Sequence, residues 1–268
     1  MSVSLEHGRR IAGASIIVLV LGVGALSLGV GSCQNLPPIK ASVCLSCHDG
    51  RSAPNQLGFL VSAHRSIECE VCHGSGYLHV RNGGRGGLFI TNPAKLSFPE
   101  TYATCNTCHA DTVVGFLASH HAVEQVVTCA DCHDVHQPGG MQANPTDNTL
   151  CLQCHAELGF DSDAAISTHT FHPVDPAGTG ASRCTACHLP PLQREDQADG
   201  PHDHTLLTIP PIRSNEAAAA GVTPIPPNSC SGITGCHDGT VPEAPVFDVD
   251  NLALNEILQS IYDARYGD

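Results

Sequence analysis

Cys44-Leu45-Ser46-Cys47-His48 is the first of six pentapeptides that decide how this chain can fold. The others are Cys69-Glu70-Val71-Cys72-His73, Cys105-Asn106-Thr107-Cys108-His109, Cys129-Ala130-Asp131-Cys132-His133, Cys151-Leu152-Gln153-Cys154-His155 and Cys184-Thr185-Ala186-Cys187-His188. Each is C-x-x-C-H, the spacing at which two thiols form thioethers to one haem and the next imidazole reaches its iron. Zinc sites also use cysteine pairs, but nothing in their spacing calls for a histidine directly after every second cysteine. Disulfides suit an exported chain, yet cysteines two residues apart make poor staples.

A seventh segment, Cys230-Ser231-Gly232-Ile233-Thr234-Gly235-Cys236-His237, has five residues between its cysteines. It keeps the terminal Cys-His, and Cys236-His237-Asp238-Gly239 repeats Cys47-His48-Asp49-Gly50. Glycine at 232 and 235 would let the longer loop fold out while both sulfurs still meet one ring. Seven haems c are therefore expected, or six if Cys230 and Cys236 instead form a disulfide.

Composition agrees with a cofactor-filled interior. The 268 residues include 15 Cys and 17 His but no Trp, and only 4% are aromatic, too few for an ordinary apolar core. The net charge of −14 excludes nucleic acid as a partner, since phosphate-binding surfaces are basic.

The N-terminus reads as an export signal: Arg9 and Arg10, an apolar run from Ile11 to Val30, then Gly31-Ser32-Cys33. An uncleaved membrane anchor is the alternative, although glycines and small residues dilute the run. Val30-Gly31-Ser32-Cys33 resembles a bacterial lipobox, which would make Cys33 the acylated first residue of the mature chain. Cys33 is also the one cysteine outside the seven pairs. Cleavage there leaves 10 basic and 25 acidic residues, a net −15. Gln34, rather than Asp, after Cys33 favours an outer membrane over an inner one.

The organisation is a repeat. Gly58-Phe59-Leu60-Val61-Ser62-Ala63-His64 aligns with Gly115-Phe116-Leu117-Ala118-Ser119-His120-His121, and a looser copy runs through Gly159-Phe160 and Ser167 to His169 or His172. The expected boundaries are a signal peptide over 1–32 and a linker over 33–43, then two-haem modules over 44–100, 101–150 and 151–212. The seventh haem and a C-terminal helix occupy 213–268.

The repeat permits a ligand count. Proximal imidazoles would be His48, His73, His109, His133, His155, His188 and His237. Nine other mature histidines remain, and bis-His ligation needs seven. The repeat supplies His64, His79, His121, His136, one of His169 and His172, and one of His202 and His204. His120 and the unused members are in surplus, and one of them is available to the seventh haem. His136 lies too close in sequence to His133 to reach the far face of that haem, so it is expected on a neighbour's iron. Met141 is the only mature methionine, so at most one site could be His/Met. Bis-His coordination predicts low potentials and closed coordination spheres.

Elsewhere, Arg81 to Gly87 reads as a flexible glycine-rich turn, and Pro190-Pro191, Pro210-Pro211 and Pro226-Pro227 mark extended stretches. Ala217 to Ala220 suit a short helical turn. Asn251 to Tyr266 suit a helix with Leu254, Ile257, Leu258 and Ile261 on its packed face.

The repeated motifs with Gly-Phe-Leu-x-Ser-x-His resemble the periplasmic and outer-membrane multihaem c-type cytochromes of anaerobic and extracellular respiration. The run Cys184-Thr185-Ala186-Cys187-His188-Leu189-Pro190, followed by His202-Asp203-His204, resembles a second pattern of that group, which implies His204 rather than His202 as distal ligand. The resemblance implies a multihaem cytochrome c fold, with short α-helices and coil packed around haems and little β structure. It implies electron transfer to redox partner proteins or an external acceptor, from a lipid anchor at Cys33 in the periplasm or at the outer membrane. Two alternatives stay open. One is a reductase of a small oxyanion such as nitrite, for which His237, with no histidine downstream, offers the visible open iron. The other is the subunit of an extracellular cytochrome filament, against which a lipid anchor argues.

Overall fold

A computed structural model describes residues 36–87, 89–143, 147–174, 182–194 and 200–267. The signal segment and Cys33 lie outside them. The residues from Pro37 onward form one compact unit.

The fold is short helices joined by long coil: α1 (Ala41–Leu45), α2 (Glu70–His73), α3 (Tyr77–Arg81), α4 (Phe98–Asn106), α5 (Ala110–Leu117), α6 (His120–Val123), α7 (Cys129–Cys132), α8 (Thr149–His155), α9 (Asp163–Thr170), α10 (Cys184–His188), α11 (Ile212–Ala219) and α12 (Leu252–Tyr266). No strand forms among the described residues. The β structure there is two isolated bridges, His133 with Met141 and Pro191 with His202. None of the described helices is long and apolar enough to cross a membrane.

Six of the helices exist to present a motif. Each C-x-x-C-H lies on or closes a helical turn, marked in the first four by the histidine N–H donating to the carbonyl of the first cysteine (His48 to Cys44 at 2.9 Å, His73 to Cys69 at 3.0 Å, His109 to Cys105 at 3.0 Å, His133 to Cys129 at 2.9 Å). Residues three and four apart share a helix face, so one turn aims two sulfurs and an imidazole at the same ring.

The apolar core is small. Tyr102, Val113, Phe116 and Ala122 cluster where α4, α5 and α6 meet, with Phe98, Val127 and Leu206 against them. The Phe98 and Tyr102 rings meet edge-on at 4.2 Å. Α capping box at α4 (Ser97 with Glu100) and another at α7 (Thr128 with Asp131) start those helices. Elsewhere the most deeply buried side chains are small or polar, among them Asn228, Asn255, Ser62, Ser119 and Ser214. Large apolar side chains such as Leu60, Val61, Val71, Phe89 and Leu158 instead face outward from the polypeptide. That inversion is what a chain wrapped on prosthetic groups requires.

The repeat has a structural reason. Phe59 and Phe116 are equivalent and both buried, and so are Ser62 and Ser119. A Cβ on Gly58 would sit 2.4 Å from the His136 carbonyl oxygen, so that position admits only glycine while the His136 backbone crosses it. The equivalent Gly115 faces the backbone of His204 and Thr205 at 3.9–4.0 Å.

Three local expectations change. Arg81 closes α3, and Arg85–Gly87 form a 3-10 turn, with Gly83, Gly84 and Gly87 at positive φ. Pro211 opens α11 instead of extending the chain, and the helix begins five residues before the alanine run. In α12, Leu258 is buried but Ile257 and Ile261 are more than half exposed. The packed face is rotated towards Asn255, whose amide donates to Asn215 Oδ1 and the Val249 carbonyl, both at 2.9 Å. Gln259 Oε1 accepts from Ile212 N–H at 2.9 Å, and the Tyr262 hydroxyl bonds Thr208. Hydrogen bonds to α11, not the leucine stripe, set the orientation of α12.

Candidate haem sites

Every motif histidine lies against one histidine from outside the motifs. Ring centroids are 6.5 Å apart for His48 and His79, 5.9 Å for His73 and His136, and 5.9 Å for His109 and His64. They are 6.3 Å apart for His133 and His204, 5.7 Å for His155 and His121, 6.1 Å for His188 and His169, and 6.1 Å for His237 and His172. Two metal–nitrogen bonds of about 2 Å plus two ring half-widths of roughly 1.1 Å give about 6 Å, the span of two imidazoles on opposite faces of one iron. The residues present fit the group.

The ring nitrogens are arranged for the same purpose. Nδ1 of His48, His73, His133, His188 and His237 faces the carbonyls of Pro54 (3.3 Å), Thr91 (2.7 Å), Gly140 (2.9 Å), Leu206 (2.9 Å) and Pro245 (2.8 Å). An Nδ1–H donated there fixes the ring and leaves the Nε2 lone pair for a metal. His172 and His204 use Nδ1 likewise, towards Thr170 and His202 carbonyls at 2.6 and 2.9 Å. Nδ1 of His79 is buried without a hydrogen-bond partner. Burial lowers the pKa of His64, His121, His133, His136 and His169, helped by the facing imidazole in each case, so these rings are held neutral and able to ligate.

Two histidines stand apart. His120 is exposed on α6 and faces no imidazole among the described rings. His202 spends Nδ1 on the Leu189 carbonyl at 2.7 Å and bridges to Pro191, which fixes the loop carrying His204. Both members of the His169/His172 pair face a motif histidine, so the choice between them posed by the sequence does not arise. His237, without a histidine downstream, meets His172 from upstream.

The pairs interlock. His64 precedes the module of its partner His109, His121 precedes that of His155, and His172 that of His237. In the other direction His136 reaches back to His73, and His204 to His133. His48 with His79 and His169 with His188 are the two pairs formed within a module. His79 and His136 each follow the second motif of their module, yet His79 pairs within its module while His136 reaches back to the one before.

The cysteines order the sites. Within each module the first cysteines of the two motifs perturb each other: Cys129 and burial raise the pKa of Cys105, Cys151 and burial that of Cys184, and burial with Cys69 that of Cys44. Across the module boundaries, Cys72 feels Cys105 and Cys108, Cys132 feels Cys151 and Cys154, and Cys187 feels Cys236 and Cys230. Consecutive motifs are thus neighbours throughout.

The irregular seventh motif is held by a buried amide. Asn228 Oδ1 accepts from Cys230 and Ser231 N–H (2.9 and 3.0 Å), while its Nδ2 donates to Ser214 Oγ and Ser231 Oγ (both 2.9 Å). Ser229 Oγ donates to the Cys187 carbonyl at 3.0 Å, tying this motif to the sixth. Gly232 has φ +79°, and a Cβ there would press on Pro227 at 3.0 Å. Phe247 stacks on His237 at 4.1 Å.

A family model described as a doubled C-x-x-C-H motif matches residues 120–160, which hold the fourth and fifth motifs. Over 168 residues the chain is 27% identical to the multiheme cytochrome MtrA of Shewanella baltica (strain OS185), covering 58% of this chain and 47% of that protein. The chain therefore spans about half the length of this relative. No solved structure matches. Both comparisons thus agree with haem c binding at the C-x-x-C-H motifs, and they make the chain similar to multihaem c-type cytochromes.

Proposed function

We propose that this protein is an electron conduit of seven haems c, each iron between two imidazoles, with electrons passing along the haems in chain order. The observation that carries the proposal is the set of seven histidine pairs, each joining one motif histidine to one other at 5.7–6.5 Å. Bound haem iron supplies a one-electron couple; the chain supplies attachment, orientation and spacing. Cys44/Cys47, Cys69/Cys72, Cys105/Cys108, Cys129/Cys132, Cys151/Cys154, Cys184/Cys187 and Cys230/Cys236 hold the rings. The cysteines of consecutive motifs influence one another electrostatically, so haems attached there would be neighbours, as short-range electron transfer needs.

A ligand on each side of every iron leaves no position for a substrate, so the approach of His172 to His237 favours a carrier over an oxyanion reductase. The relative's printed description as a multiheme cytochrome agrees with a role in electron transfer. Export and acylation at Cys33 complete the proposal, placing the conduit outside the cytoplasm, tethered to a membrane and serving a redox partner or an external acceptor.

Haem stoichiometry by pyridine haemochrome and intact mass tests the count, with seven per chain expected and six or fewer contradicting it. Ligand assignment is tested by a pair of variants. His204→Ala is expected to convert one haem to high spin, whereas His202→Ala leaves every haem low-spin; the reverse outcome would overturn the assignment.

A further inference from the structure

The charge is distributed unevenly along the chain. Residues 37–100 carry six basic and four acidic side chains, a net +2, whereas residues 101–268 carry four basic and 21 acidic, a net −17. Between 101 and 182 there is no Lys or Arg at all. Haem propionates add negative charge to both parts and leave the contrast in place.

Four of the six basic residues, Lys40, Arg51, Arg81 and Arg85, lie close in sequence to one histidine pair, His48 with His79. Arg51 follows His48 by three positions and Arg81 follows His79 by two. The glycine turn leading to Arg85 lies over the His79 ring, where a Cβ on Gly84 would be 3.7 Å from Nε2. Lys40, Arg51, Arg81 and Arg85 are all exposed, and the Arg51 side chain is 89% exposed. The acids of this end are engaged with the backbone: Glu70 accepts from Ile39 and Gly76 N–H, and Glu68 from Ala41 N–H. The one ion pair here among the described residues is Arg51 with Asp49, an exposed contact that ties up little of this positive charge.

Resting on the conduit reading, in which the His48/His79 haem has a single neighbour and so ends the row, we propose that this end is the docking surface for an acidic redox protein. Lys40, Arg51, Arg81 and Arg85 attract the partner, while the acidic remainder repels it from every later haem. Charge then selects the haem at which the partner exchanges electrons, which would otherwise be open to it anywhere along the row. Electrostatic complementarity of this kind acts mainly on the association rate and fades as salt screens it.

The test uses the haem-loaded protein and its Arg51→Glu/Arg81→Glu/Arg85→Glu variant, with a neutral Arg51→Gln/Arg81→Gln/Arg85→Gln set as intermediate. Stopped-flow reduction by an acidic plant-type ferredoxin is followed against ionic strength, and oxidation by a basic cytochrome c serves as the control. The charge-reversed protein is expected to react with ferredoxin about tenfold more slowly at low salt and to lose most of the salt dependence. The neutral set falls between, and the cytochrome c rate holds. An unchanged ferredoxin rate overturns the proposal. So does equal slowing with both partners together with shifted haem potentials, which would make the arginines propionate counter-ions. If non-acylated protein sediments with phosphatidylglycerol vesicles through these residues while ferredoxin kinetics stay the same, the surface serves a membrane and the proposal is also overturned. Failure of the conduit reading shows separately, as haems that no donor reduces.

Discussion

Around the third and fourth motifs, the chain is held by Tyr102, Val113, Phe116 and Ala122, an apolar cluster between three helices. Around the seventh, it is held by Asn228, Ser214 and Ser231, joined by hydrogen bonds and all but excluded from solvent, with the equally buried Asn255 bonded to Asn215 and the Val249 carbonyl. Both regions fix a C-x-n-C-H turn against a neighbouring one. The first does so with a regular helical turn, which needs only its outer face packed. The second has three extra residues between its cysteines, no helix, and backbone N–H groups that must find other acceptors. A side-chain amide meets that need, and an apolar core could not. The shape of the support follows from the backbone geometry of the motif.

The contrast breaks most visibly on the apolar side. Phe116→Ala is expected to lower stability by about 3–5 kcal/mol, read as an earlier thermal unfolding midpoint. Asn228→Ala removes both halves of the amide network and strands the Cys230 N–H, while the Ser231 N–H keeps only the position-228 backbone carbonyl. About 2–3 kcal/mol is expected there, with the seventh haem the one missing from incompletely loaded protein in intact-mass spectra. Gly232→Ala should cost about 1–3 kcal/mol, because φ +79° and the Pro227 contact both resist a Cβ. Tyr262→Phe removes one hydrogen bond to Thr208 and sharpens the comparison at its small end, with about 1 kcal/mol expected in chemical denaturation.

The same contrast explains what the sequence could reveal. Covalent chemistry has a fixed spacing, so the six regular C-x-x-C-H motifs are plain from Cys44 to His188. The repeat is also plain, because its equivalent residues Phe59 and Phe116 are both buried, as are Ser62 and Ser119. Histidine partnership is different. It depends on chain segments 19 to 71 residues away, and the pairs cross module boundaries in both directions, so a module read by itself misplaces its own partners. His64, His121 and His172 reach forward, His136 and His204 reach back, and the two pairs within a module occur where the interlock runs out. The orientation of α12 was equally hidden: its apolar stripe pointed to Ile257 and Ile261, while the determinant is Asn255, a residue that hydropathy ranks as surface.

The claim that seven irons each lie between two imidazoles is tested most directly by low-temperature electron paramagnetic resonance of the oxidised protein, beside its His172→Ala variant. The account predicts only low-spin haem in the unmodified protein. In the variant it predicts one high-spin haem, which then binds an added small ligand such as nitrite. A stoichiometric high-spin signal in the unmodified protein, or a His172→Ala spectrum indistinguishable from it, would contradict the account.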